Sequence, residues 1–128
     1  MNKKRKVNRI RRKYLLLCKE MWEWMRDNPW VFFKRLYFYK HDIDFDDMPY
    51  AECHACEADA LIRRTYSHTN SRCNFCPLTG YAWKDHCMYD DKSIYLRWYD
   101  TYSDIERQEA AALMVKACEA ALADLPNH

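Results

Sequence analysis

A single glycine, Gly80, stands in a chain of 128 residues. Glycine serves the positive-φ positions and close backbone approaches on which a P-loop, a Rossmann turn or a β-rich barrel depends. A chain almost without it is expected to be built from helices. The length suits one domain over residues 1–128, able to bury about two-thirds of its unfolded surface. Ten Tyr, five Trp and five Phe supply apolar bulk that disordered chains lack. The expected class is mainly α: a small helical domain with a central insert.

Periodicity places the elements. Val7, Ile10, Tyr14, Leu17, Met21 and Trp24 recur in steps of three and four and predict an amphipathic helix over 7–26. Leu15, Cys18, Trp22 and Met25 widen its stripe. Asn28-Pro29 reads as a break and restart, with Asn28 as N-cap and Pro29 in the first turn. The restarted helix, over about 30–40, is apolar on most faces and so predicted to be central to the core. A strand is the lesser alternative there. Residues 41–52 read as irregular, 57–66 as a short helix and 67–72 as a turn. Tyr95, Trp98, Tyr99 and Tyr102 share one helical face. Ser103-Asp104-Ile105-Glu106 fits a capping box opening a C-terminal helix over 104–125, with Ala111, Met114, Val115, Cys118, Leu122 and Leu125 inward.

Charge is unevenly spread. Lys3, Lys4, Arg5, Lys6, Arg9, Arg11, Arg12 and Lys13 give residues 1–13 the look of a basic arm running into the first helix. The net charge is +2, so the rest of the chain carries −6. Asp42, Asp44, Asp46, Asp47, Glu52, Glu57 and Asp59 follow one another without a Lys or Arg between them. Such asymmetry bears on partners rather than on fold. The densest apolar run, 30–39, is broken by Lys34-Arg35 and is far too short for a membrane span. YLLLC is too short for a secretory core. The expectation is a cytoplasmic protein, whose thiols stay reduced.

Seven cysteines then favour metal binding or plain burial over a disulfide framework. The pattern Cys53-x2-Cys56-x16-Cys73-x2-Cys76 falls in the window for a four-cysteine zinc site. Two residues between cysteines let one turn aim both sulfurs at a tetrahedral ion, and two such turns close the shell. The expected cofactor is one structural Zn²⁺ per chain, stabilising an insert over 53–87. Cys87 is a reserve ligand, and His54, His68 and His86 lie close in sequence. A CxxC redox pair is a competing reading, although its usual βαβ setting is missing; separate buried thiols are another. Cys18 and Cys118 sit on apolar helical stripes and read as core.

CHACE, CNFCPLTGYAW and HCMYDDKSIYLRWY together resemble a group of small phage and prophage proteins, with Cys53, Cys56, Glu57, Cys73, Cys76, Pro77, Trp83, Cys87, Tyr95 and Trp98 as the matching residues. The chain is also similar overall to zinc-containing anti-CRISPR proteins that inhibit type II effectors. That resemblance implies a protein that binds an RNA-guided DNA nuclease and blocks a step such as DNA loading. It further implies that zinc holds the shape and performs no chemistry.

The residues bear on each function class. No signature of a positioned nucleophile, base and oxyanion site appears, and His68, Asn70 and His86 come without the strand pair of a His-Asn-His nuclease. No enzyme activity and no small-molecule substrate are expected. For a protein partner with positive channels, Asp42, Asp44, Asp46 and Asp47 supply complementary charge. Trp30, Tyr37, Tyr39 and Trp98 would be its aromatic anchors if they stand outside. The alternative is a zinc-stabilised nucleic-acid binder contacting phosphates through Lys3, Lys4, Arg5, Lys6, Arg9, Arg11 and Arg12.

Overall fold

Twenty-five consecutive residues, Lys3–Asp27, form helix α1. The computed structural model describes residues 2–49, 52–67, 75–88 and 90–126. The basic tract is therefore helical almost from its first cation, four residues earlier than periodicity predicts. The Asn2 side chain accepts from the Arg5 amide at 2.9 Å and caps it. No acid stands in that first turn, so its cations meet the positive end of the helix dipole unfavourably. Tertiary ties offset this: Lys3 Nζ donates to the Tyr66 carbonyl at 3.2 Å, and the Arg12 guanidinium to that of Pro126 at 2.6 Å.

Two apolar stripes compete on α1, one residue apart. The buried one is Leu15, Cys18, Trp22 and Met25, with Met21 beside it. Val7, Ile10, Tyr14 and Leu17 are only half-buried. The difference lies in the facing helix. Helix α5, Asp104–Asp124, offers Ala110, Ala111, Ala117 and Ala121 around Met114, Val115 and Cys118, all buried. Small residues on one helix let the bulky indole and thioethers of the other approach closely. Ser103 opens α5 as the capping box predicts, accepting from the Glu106 amide at 3.3 Å. The Glu106 carboxylate takes the Thr101 hydroxyl.

Asn28 does the reverse of what its neighbour Pro29 suggests. Its amide N–H donates to the Met25 carbonyl and its side chain to that of Trp24, so it closes α1 instead of starting a new helix. The chain then turns at Pro29-Trp30 and runs without helix to Lys34. The predicted 30–40 helix shrinks to α2, Arg35–Lys40. The Pro29 carbonyl, which a helix begun here would use, instead accepts from buried Arg107 on α5 at 2.7 Å. Helix α2 ends in a Schellman pair: Asp42 N–H to Tyr39, and Ile43 N–H to Phe38 at 2.9 Å. Asp42 takes the left-handed position there, with φ of 56°.

Beyond a 3-10 turn at Phe45–Asp47, helix α3 spans His54–Ile62 and continues as a π-type turn over Arg63–Ser67. It packs on α1, while α4, Ile94–Tyr99, packs on α5. Tyr95 and Trp98 of α4 meet Trp22 edge-on, with Trp22 and Trp98 centroids 5.2 Å apart. The tyrosine stripe stops there: α4 ends before Tyr102, and Tyr99 and Tyr102 stand exposed. Gly80, with φ of +91°, makes the turn at which its N–H donates to the Trp83 carbonyl. The described residues are mainly helical; their one β contact is the isolated Thr79–Trp83 bridge. None of their helices is long and apolar enough to cross a membrane.

Candidate functional site

Cys53 is the N-cap residue of α3 and Cys56 lies in its first turn, so CHAC opens a helix. The loop from Trp83 to Ser93 brings in Cys87. Asp90 organises that loop by accepting the amides of Lys84, Asp85 and Lys92, which hold its carboxyl below the ordinary range. Fully buried Ser93 donates its hydroxyl to the Cys87 carbonyl at 2.8 Å. The three cysteines line one cavity.

Their protons are shared unequally. The bond from Cys56 pulls the Cys53 thiol down to about 6 against the effect of burial, with the Lys34 ammonium and the amides of Cys56 and Ala55 assisting. The same partner lowers Cys87. Half-buried Cys56 is pushed up by its neighbours Cys53 and Cys87 and by desolvation. Lys34 reaches this group from the segment before α2. Desolvation opposes its charge, yet the cysteines and Tyr95 hold the ammonium above its usual value. Its Nζ sits 4.7 Å from the centre of the Tyr95 ring. These side chains line a cavity of about 180 Å³ with Trp22, Trp83, Met88 and Met114.

The four sulfurs expected around zinc are thus divided. Cys53 and Cys56 are together, joined by the reserve residue Cys87. Buried Cys76 lines a different groove, with Arg11, Leu15, Thr79 and Asp124. Cys73 and His68 lie outside the described residues. His54 turns its ring to Phe38, at a centroid distance of 5.7 Å, and burial pushes it down to about 4, keeping it neutral. His86 accepts the Met88 amide. Among the described residues no group of three or more His, Cys, Asp or Glu is set to hold a metal ion as arranged. Cys18 on α1 and Cys118 on α5 are fully buried, and the neighbouring Cys118 thiol together with burial pushes Cys18 up.

A second feature lies on the surface. Trp30, Phe32, Phe33, Tyr39 and Phe45 are exposed, Phe32 at 68% and Phe45 at 71%. Asp42, Asp44, Asp46 and Asp47 alternate with or follow them and are exposed too. Of the four aromatic anchors considered from sequence, Trp30 and Tyr39 are outside; Tyr37 and Trp98 are core. Among the seven acids, Glu52 pairs with Arg35 at 2.5 Å, and buried Asp59 accepts the Phe75 amide at 2.8 Å. On α1, Lys4, Arg5, Lys6, Arg9 and Lys13 are exposed, whereas Arg11 and Arg12 are half-buried.

Sequence reasoning missed Lys34 and undervalued Cys87. A cation inside WVFFKRLYFY was the available signal, since an ammonium among apolar residues calls for an anionic or aromatic partner. Nothing in the sequence says that Phe32, Phe33 and Phe45 face out. Comparison with protein-family models, curated proteins and solved structures finds no match for this chain.

Proposed function

We propose that this protein acts by binding and not by chemistry: an inhibitor that docks on a type II RNA-guided DNA nuclease and blocks DNA loading. The partner class comes from the sequence resemblance. The observation that carries the binding reading is the exposed set Trp30, Phe32, Phe33, Tyr39 and Phe45 interleaved with Asp42, Asp44, Asp46 and Asp47. Aromatic side chains of this size are usually buried on folding; left outside in numbers, they mark an interaction surface. Acids among them suit a partner whose nucleic-acid channel is positive. In this reading one structural zinc steadies the cysteine-bearing segment next to α3, and the partner displaces no metal.

The direct test pairs interferometry on the guide-loaded nuclease with a DNA-cleavage assay. Stoichiometric binding that stops cleavage supports the proposal; full cleavage at saturating protein removes it.

One observation favours a second reading. Lys4, Arg5, Lys6, Arg9 and Lys13 are exposed on a continuous helix, which fixes their spacing for phosphate contacts. Gel shifts on mixed-sequence DNA at several salt concentrations separate the two. Tight, steeply salt-dependent binding that is lost on neutralising Lys6 and Arg9 would favour nucleic acid.

A further inference from the structure

We propose that the docking surface continues across Arg107 onto the joint between α4 and α5, where Tyr99, Tyr102 and Ile105 stand, and that this extension receives an arginine-rich segment of the protein partner. It rests on the binding reading above, shares Trp30 and Phe32 with it, and adds the chemistry of what docks.

Two distant stretches of chain meet here. The guanidinium of buried Arg107 donates to the Pro29 carbonyl at 2.7 Å and to the Thr101 carbonyl at 3.1 Å. The backbone just before Trp30 and the backbone just before Tyr102 are thus held side by side. The Gln108 side chain, donating to the Arg26 carbonyl at 3.1 Å, ties α5 to the end of α1 a second time. The exposed aromatics that follow α1 and those that precede α5 therefore emerge from one place on the surface.

Folding makes little use of the side chains at the joint. Tyr102 is 99% exposed and Ile105 70%, and Tyr99 is exposed as well. The backbone beneath them is nevertheless fixed. The Thr101 hydroxyl donates to the Glu106 carboxylate at 2.5 Å and accepts the Ser103 amide at 3.1 Å, and Ser103 caps α5. A tyrosine offered to solvent from a fixed loop leaves little backbone freedom to be lost on binding. Tyrosine is also among the residues that recur as interface anchors.

Charge selects the occupant. From Tyr99 to Glu109 the acids are Asp100, Asp104, Glu106 and Glu109, all exposed. The one cation in that stretch, Arg107, is buried and committed to two carbonyls and to Asp104. Arg97, exposed on α4, lies two residues before Tyr99 and so on another side of that helix. Planar guanidinium stacks on tyrosine and tryptophan faces and pairs with carboxylates through a fork of donors. An ammonium brings only a point charge. Acidic segments and nucleic acid are repelled here by the same carboxylates.

The experiment uses the full chain, labelled for amide NMR, with a short peptide of alternating arginine and alanine as the probe and its lysine and glutamate versions as controls. The arginine peptide should shift the amides of residues 30–33 and 99–106 most. The lysine peptide should bind about threefold more weakly, and the glutamate peptide should leave the spectrum unchanged. Tyr102→Ala should weaken the arginine peptide about tenfold at an unchanged melting temperature, and Tyr102→Phe, which keeps the ring, should restore most of the affinity. Shifts confined to Asp42–Asp47, equal binding of the lysine peptide, or unchanged affinity in Tyr102→Ala would overturn the extension. Wild-type binding to the guide-loaded nuclease that Tyr102→Ala leaves intact would overturn it too, with the inhibitor reading still standing. Absence of nuclease binding by the wild type overturns that reading instead, and the peptide titration then decides the extension alone.

Discussion

The α1–α5 seam and the segment from Asn28 to Pro49 are both rich in large apolar residues, yet only the first buries them consistently. On the seam, Leu15, Cys18, Met21, Trp22 and Met25 are sealed against alanines, Met114, Val115 and Cys118. In the other segment, Val31, Tyr37 and Phe38 turn in while Trp30, Phe32, Phe33, Tyr39 and Phe45 turn out. Composition does not separate the two. What separates them is period and a facing surface: the seam has both over many turns, and the segment has one short helix followed by a left-handed residue. Hydrophobic surface left out where folding has nothing to cover it is the material of an interface.

The comparison predicts that equal truncations act on different quantities. Trp22→Ala removes the indole that Tyr95 and Trp98 pack against, and unfolding should become easier by about 3–5 kcal/mol in urea melts. A loss under about 1 kcal/mol would mean that the seam is not the main store of stability. Arg107→Met tests the joint between the regions. The guanidinium serves the carbonyls of Pro29 and Thr101 and the Asp104 carboxylate, so its loss should reduce stability by about 2–3 kcal/mol and loosen residues 29–33 in hydrogen exchange.

Phe32→Ser should leave stability within about 0.5 kcal/mol of wild type. Nuclease affinity should nevertheless fall by about 2 kcal/mol, the range of a buried aromatic anchor. A large drop in the melting temperature would instead assign Phe32 to the fold. The smallest effect has the opposite sign. Asp42→Gly relieves a left-handed aspartate at the end of α2 and should stabilise by about 0.5–1 kcal/mol. The same change removes one acid from the surface, so affinity should slip as stability rises.

How far these features could be read from sequence follows the same division. Helix α5 was legible because its stripe, its Ser103 cap and Pro126 agree with one another. Helix α1 was legible in kind but not in face, because two stripes one residue apart both fit a helical period and only the alanines of α5 choose between them. Asn28 was misread for a tertiary reason: Arg107, 78 residues away in sequence order from Pro29, takes the carbonyl that a restarted helix needs. The site shows the same limit. CxxC spacing singles out Cys53 and Cys56, and the structure sets Cys87 and Lys34 beside them. Ser93 and Asp90 decide Cys87's place, and neither is a cysteine-pattern residue.

The claim that the segment is an interface and the seam a scaffold meets its most direct test in binding to a guide-loaded type II nuclease. Wild type and Phe32→Ser, both shown to be folded, would be compared at equal concentration by interferometry. The account predicts stoichiometric binding by the wild type and affinity weakened by about thirtyfold in the variant. Equal binding by both proteins, or binding by neither, would contradict it.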